Sequence, residues 1–137
     1  MVDIEQYIFT QIATALRQAF PDPEIVVTGD AFSAPSRLPA CSIVEMDNTT
    51  YQRSLDSEQV ENHAVLMYQV DAYSDLETGR KEECRKIQKV VDGEFQKIGF
   101  VRTYLSPIPN LLDSGLYRVT SRYRAIVEPS GTTYRRG

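Results

Sequence analysis

The only imidazole in this 137-residue chain is His63, with Glu58 and Glu61 just upstream, so any triad, histidine-based metal site or general-base scheme must pass through it. No Gly-x-Ser-x-Gly elbow surrounds a serine, and a lone histidine at a strand edge ordinarily solvates or caps. His63 is therefore not expected to carry catalysis or a metal. Cys41 and Cys84 lie far apart without CxxC spacing, which leaves a zinc site short of ligands. Both sit among apolar neighbours and read as buried, reduced core thiols. The seven glycines form neither GxGxxG nor GxxxxGKS/T, so no phosphate cradle and no cofactor is expected. Glu82 and Glu83 share their segment with Arg80, Lys81, Arg85, Lys86 and Lys89 at three- and four-residue spacing, the pattern of a solvated helix face rather than an acid–base pair.

The elements that would position these residues follow from periodicity. Residues 4–20 repeat Ile4, Ile8, Ile12, Ala15, Leu16 and Ala19 at helical spacing, with Asp3 as N-cap, Gln6 completing a capping box and Pro21 as terminator. Glu24–Thr28 is a short β-branched strand stopped by Gly29, and Asp30–Pro39 is a loop. Cys41–Asp47 predicts a second strand, followed by a long polar excursion over Asn48–Asn62. In His63–Ser74, Ala64, Leu66, Tyr68, Val70 and Ala72 point one way and Val65, Met67, Gln69, Asp71 and Tyr73 the other. Thr78–Ile98 is a helix with Cys84, Ile87, Val91, Phe95 and Ile98 on one stripe and Gly99 in capping position. Phe100–Leu105 and Leu116–Val127 are strands joined by the turn-rich SPIPNLLDSG. The last strand sets Arg118, Thr120, Arg122 and Arg124 against Tyr117, Val119, Tyr123, Ala125 and Val127, so an arginine ladder faces water or a partner.

The order α-β-β-β-α-β-β predicts an α+β fold, with both helices on one face of a mostly antiparallel sheet of about five strands. Residues 1–127 form this single domain and residues 128–137 a basic tail without apolar periodicity. A hydrophobic share of 42% with 25% charged residues is ordinary globular composition, against a disordered, coiled-coil or collagen-like chain. No run approaches the ~18 apolar residues of a membrane span. Asp3 and Glu5 stand where a secretory signal carries Lys or Arg, so the chain is expected to stay in the cytosol where it is made, without a membrane partner.

The net charge of −4 is unevenly spread: residues 1–99 carry 9 basic and 17 acidic side chains, and residues 100–137 carry 6 basic and 2 acidic. Those six are all arginine (Arg102, Arg118, Arg122, Arg124, Arg135 and Arg136), the cation favoured at interfaces for its planar fork. An acidic chain repels a phosphate backbone outside such a patch, so specific nucleic-acid binding is not expected. A charge-polarised, self-associating surface fits better. Tyr51, Tyr104, Tyr117, Tyr123 and Tyr134 fall where interface aromatics occur, though sheet packing with a solvated hydroxyl accounts for any single one.

Asp47–Val127, together with the terminal TYRR, resembles the tail terminator (tail completion) proteins of tailed bacteriophages and phage-like particles. The most specific pieces are YQRSLDS at Tyr51–Ser57, Gly99, Phe100, Arg102 and Thr103, PIPNL at Pro107–Leu111, and the Tyr117–Tyr123 segment with its flanking YR and RY; residues 1–40 match only in outline. The resemblance implies a non-enzymatic virion subunit, assembled in the bacterial cytoplasm. It would form a homohexameric ring at the head-proximal end of the tail tube, stop tube polymerisation and join tail to head. Its implied partners are itself, the tail tube protein, head–tail connector or neck proteins, and the sheath where the tail contracts. Partner contact is then expected at Tyr51, Gln52, Arg53, Arg118, Arg122, Arg124, Tyr134, Arg135 and Arg136, with an acidic helix-side surface meeting the arginine-rich strand. The alternatives are a neck or head-completion protein binding the connector, and, from another class, a small enzyme or nucleic-acid-binding protein using His63 or the arginines.

Overall fold

The computed structural model describes residues 4–21, 24–29, 38–50, 64–108 and 116–128. Seven elements follow in the expected order: α1 (Glu5–Ala19), β1 (Val26–Thr28), β2 (Ala40–Thr50), β3 (Ala64–Ser74), α2 (Arg80–Lys97), β4 (Val101–Ile108) and β5 (Tyr117–Val127). They build one open sheet of strand order β1-β2-β3-β5-β4, antiparallel throughout except where β1 runs parallel to β2. This is the α+β single domain that the periodicity predicts.

α1 buries Ile8, Ile12, Ala13 and Leu16, one stripe of a 3.6-residue repeat. Its start differs from expectation: Ile4 holds the N-cap position and no side chain among the described residues caps it, while Gln6 donates to Thr10 Oγ1 at 3.2 Å instead of reaching back. Asp3 lies outside the described residues. α2 buries Cys84, Ile87, Val91 and Phe95, and it ends as sequence suggests. Gly99 has φ +86°, with Gly99 N–H donating to Gln96 O at 3.0 Å and Phe100 N–H to Phe95 O at 2.9 Å. Those two bonds are a Schellman closure, and the Phe95 and Phe100 rings meet edge-on with centroids 5.2 Å apart, as its hydrophobic contact requires.

Two strands run further than their sequence suggests. β2 continues past Asp47 to Thr50, and β4 takes in Ser106, Pro107 and Ile108, which the turn-rich composition assigns to a connection. Pro107 is tolerated because β4 is an edge strand, where a missing N–H costs no ladder bond on the outer side. Each of these strands carries a bulge, at Met46 between Glu45 and Asp47 and at Thr103 between Arg102 and Tyr104.

Both helices cover the same face of the sheet. Their stripes meet Cys41 and Ile43 of β2, Leu66, Tyr68, Val70 and Ala72 of β3, and Val119, Tyr123, Ala125 and Val127 of β5 in one continuous cluster. At its centre Phe95 stacks on Tyr123 with ring centroids 4.2 Å apart and 9° between planes, and Tyr68 contacts Phe95 and Phe100. Cys41 and Cys84 are both fully buried and unpaired.

Candidate functional site

The face turned away from the helices is organised around β3 and β5. Their register places Asp71 opposite Thr120, Gln69 opposite Arg122, Met67 opposite Arg124 and Tyr73 opposite Arg118. The arginine ladder thus lies on the side that strand alternation predicts, but its members are not alike. Arg118 Nε donates to Asp71 Oδ1 at 3.0 Å and its guanidinium stands 5.7 Å from the Tyr73 ring centroid. Asp71, only 4% exposed, also accepts from the Thr120 hydroxyl and from Gln69 Nε2 at 3.2 Å. Burial, with the Asp71 charge second, pushes the Tyr73 phenol up from its ordinary range. Arg118 therefore serves the fold first.

Arg122 and Arg124 are the exposed rungs. Arg122 Nε donates to Gln69 Oε1 at 3.1 Å, and its guanidinium sits 5.1 Å over the Tyr104 ring of β4, a cation–π pair that leaves the planar head at the surface. Arg124 has no hydrogen bond or ion pair among the described residues. On the same face Val101 is 66% exposed and Tyr104 40%. No described helix lies over this region.

On the helix side, a second feature flanks β4. α2 leans on β3 and β5 and reaches β4 only at its margin, so an open groove of about 620 Å³ separates α2 from β4. Its lining combines the apolar Leu105, Pro107, Tyr117 and Val119 with Lys81, Arg85, Lys89 and Arg102. Beneath it runs a polar network: Ser121 Oγ donates to Gln88 Oε1 at 3.0 Å, Gln88 Nε2 donates to the Tyr123 hydroxyl, and that hydroxyl donates to Asp92 Oδ1 at 3.0 Å. Arg102 closes the network on Asp92 at 3.3 Å. Asp92, the acidic group of the lining, is thereby occupied, and burial drives the Tyr123 phenol well above its ordinary range.

The expected acidic helix-side surface does not extend to this groove. Where α2 borders the groove it is basic, because its acidic residues Glu82, Glu83 and Glu94 fall elsewhere on the helix. By spacing alone Lys81, Arg85 and Lys89 belong to a solvated face; only the placement of β4 shows that they rim a depression. Tyr51, Gln52, Arg53, His63, Tyr134, Arg135 and Arg136 lie outside the described residues. Among the described residues, no three histidine, cysteine or carboxylate side chains stand close enough to hold a metal ion, and no helix is long and apolar enough to cross a membrane. Comparison with models of known protein families and with curated proteins finds no match for the chain.

Proposed function

We propose that this chain is a structural subunit that associates with itself into a ring at the head-proximal end of a phage tail tube, ends tube growth there and joins the tail to head or neck. The observation that supports it most directly is the bare sheet face beside an open edge, where Arg122, Arg124, Tyr104 and Val101 stand together. Arginine and tyrosine are among the side chains most enriched at interface centres, and here Arg122 and Tyr104 are held against each other before any partner arrives. The sequence resemblance supplies the identity of the assembly.

Mixing the purified protein with tail tube protein, with mass read by light scattering and tube ends by negative-stain imaging, tests this reading. The expected result is tubes of limited length with a ring at one end. Charge reversal of Arg122 and Arg124 together should leave a folded protein that no longer caps tubes. A chain that ignores tubes but binds portal would be a neck component, and one that shifts DNA in a salt-sensitive manner would be a nucleic-acid-binding protein.

A further inference from the structure

Among the described residues the sheet has two open edges, and they are unlike. On one side β1 covers only Ala40–Ser42 of β2, so from Ile43 to Thr50 the outer side of β2 pairs with no strand among the described residues. On the other side β4 offers Val101–Ile108, likewise with an unpaired outer side among the described residues. Each stretch is eight residues of extended backbone with one bulge. Unpaired N–H and C=O groups along such an edge are a template for another strand.

Charge divides along the same line. Residues 1–79, which build α1 and β1 to β3, carry 13 acidic and 3 basic side chains; residues 80–137, which build α2, β4 and β5, carry 12 basic and 6 acidic. At the edges themselves the open part of β2 presents Met46, 52% exposed, and Asp47, while β4 presents Leu105, 44% exposed, beside Lys81, Arg85, Lys89 and Arg102. No ion pair within the chain engages Lys81, Arg85 or Lys89 among the described residues.

We propose that the open stretch of β2 in one copy adds to the open edge of β4 in the next, making the sheet continuous across copies, with alternate side chains of the incoming strand lying over the α2–β4 groove. Like-edge pairing is opposed by charge: β4 on β4 brings two basic rims together, and β2 on β2 brings two Asp47 carboxylates together. Unlike edges attract, and a contact between two different surfaces is the kind that closes into a ring when its rotation closes. Apolar Met46 and Leu105 then leave water at the junction that the charges select. The inference rests on the reading of the chain as a ring-forming subunit and names the surfaces that would join.

The test uses the full chain with Arg124→Glu and Asp47→Lys, both exposed positions on the face turned away from the helices, alone and mixed in equal amounts. Each variant alone should need about tenfold more protein to associate than wild type, by light scattering. The mixture should recover, because alternating copies set Glu against Lys at one junction and the native pair at the next. A double variant, Met46→Cys with a cysteine at Val101, Thr103 or Leu105 in turn, should give copy-to-copy disulfides in one register, with or without tube protein; Cys41 and Cys84 are buried and do not compete. Single variants that associate like wild type, or a mixture that stays dissociated, overturn the edge pairing even if wild type caps tubes. A wild type that neither associates nor caps tubes overturns the ring reading with it.

Discussion

Arg122 and Tyr123 are consecutive on β5 and belong to different regimes. Tyr123 is stacked on Phe95 inside the helix-covered face, its hydroxyl enclosed by Gln88 and Asp92. Arg122 lies on the bare face, fixed from below by Gln69 and from the side by the Tyr104 ring, with its head at the surface. The covered face is held by ring packing and aliphatic burial, which are close-range and unforgiving of lost volume. The bare face is held by hydrogen bonds that converge on one carboxylate, Asp71. A sheet with helices on one side thus keeps its other side ordered without sealing it.

The most severe break of this contrast is Phe95→Ala, which empties the centre of the aromatic cluster and should cost about 3–5 kcal/mol in urea unfolding. A loss below about 1 kcal/mol would show that the cluster is not the main support of the covered face. On the bare face, Asp71→Ala should cost about 2–3 kcal/mol, since Arg118 and Thr120 lose their acceptor in a buried setting. Equal losses for the two variants would erase the distinction between the faces.

Alkaline pH probes the covered side without mutation. Burial pushes the Cys84 thiol up to about 12 and the Cys41 thiol higher still, against about 9 in an unfolded chain. The folded chain then binds more protons than the unfolded one above pH 9. Stability should be full below that pH and fall as pH rises from 9 toward 12, by about 1.4 kcal/mol per pH unit per thiol. Chemical denaturation of the Cys41→Ala, Cys84→Ala double variant across this window should show a shallower decline, and neither native thiol should react with a thiol reagent near neutrality. Ser42, fully buried and without a hydrogen-bond partner for its hydroxyl among the described residues, sharpens the picture of the other face: Ser42→Ala should be neutral or stabilising by up to about 1 kcal/mol in thermal unfolding. The smallest effect belongs to Arg124→Ala, within about 0.5 kcal/mol of wild type in stability. Any larger loss would make that exposed rung part of the fold rather than of a surface.

Alternation within β3 and β5, the stripe of α2 and its glycine closure were all legible in sequence, because each depends on residues near one another in the chain. What was not legible depends on distant partners. Asp71 and Tyr73 sit on the face that alternation marks as the wetter, yet both are 4% exposed, because Arg118 and Thr120 arrive from the other side of α2 and β4 to meet them. The groove was hidden for the same reason: Lys81, Arg85 and Lys89 look like any solvated helix face until β4 is set beside them. Pro107 suggested a turn, and only its edge position made it strand. Asp3 and Gln6 had the spacing of a capping box, but Ile4 takes the N-cap position and Gln6 bonds Thr10, while Asp3 lies outside the described residues.

The strand order has a consequence for when the molecule becomes itself. β3 lies between β2 and β5, and β5, the seventh element made, pairs with it from Ala64↔Val127 to Ser74↔Tyr117. β4 has β5 as its neighbour in the sheet, so it can be no more than a loose ribbon until that strand exists. Pairings across such long separations form late, after their loops have closed. The sheet therefore acquires its β4 edge only once β5 has been made, and a partly synthesised chain has no such edge to offer.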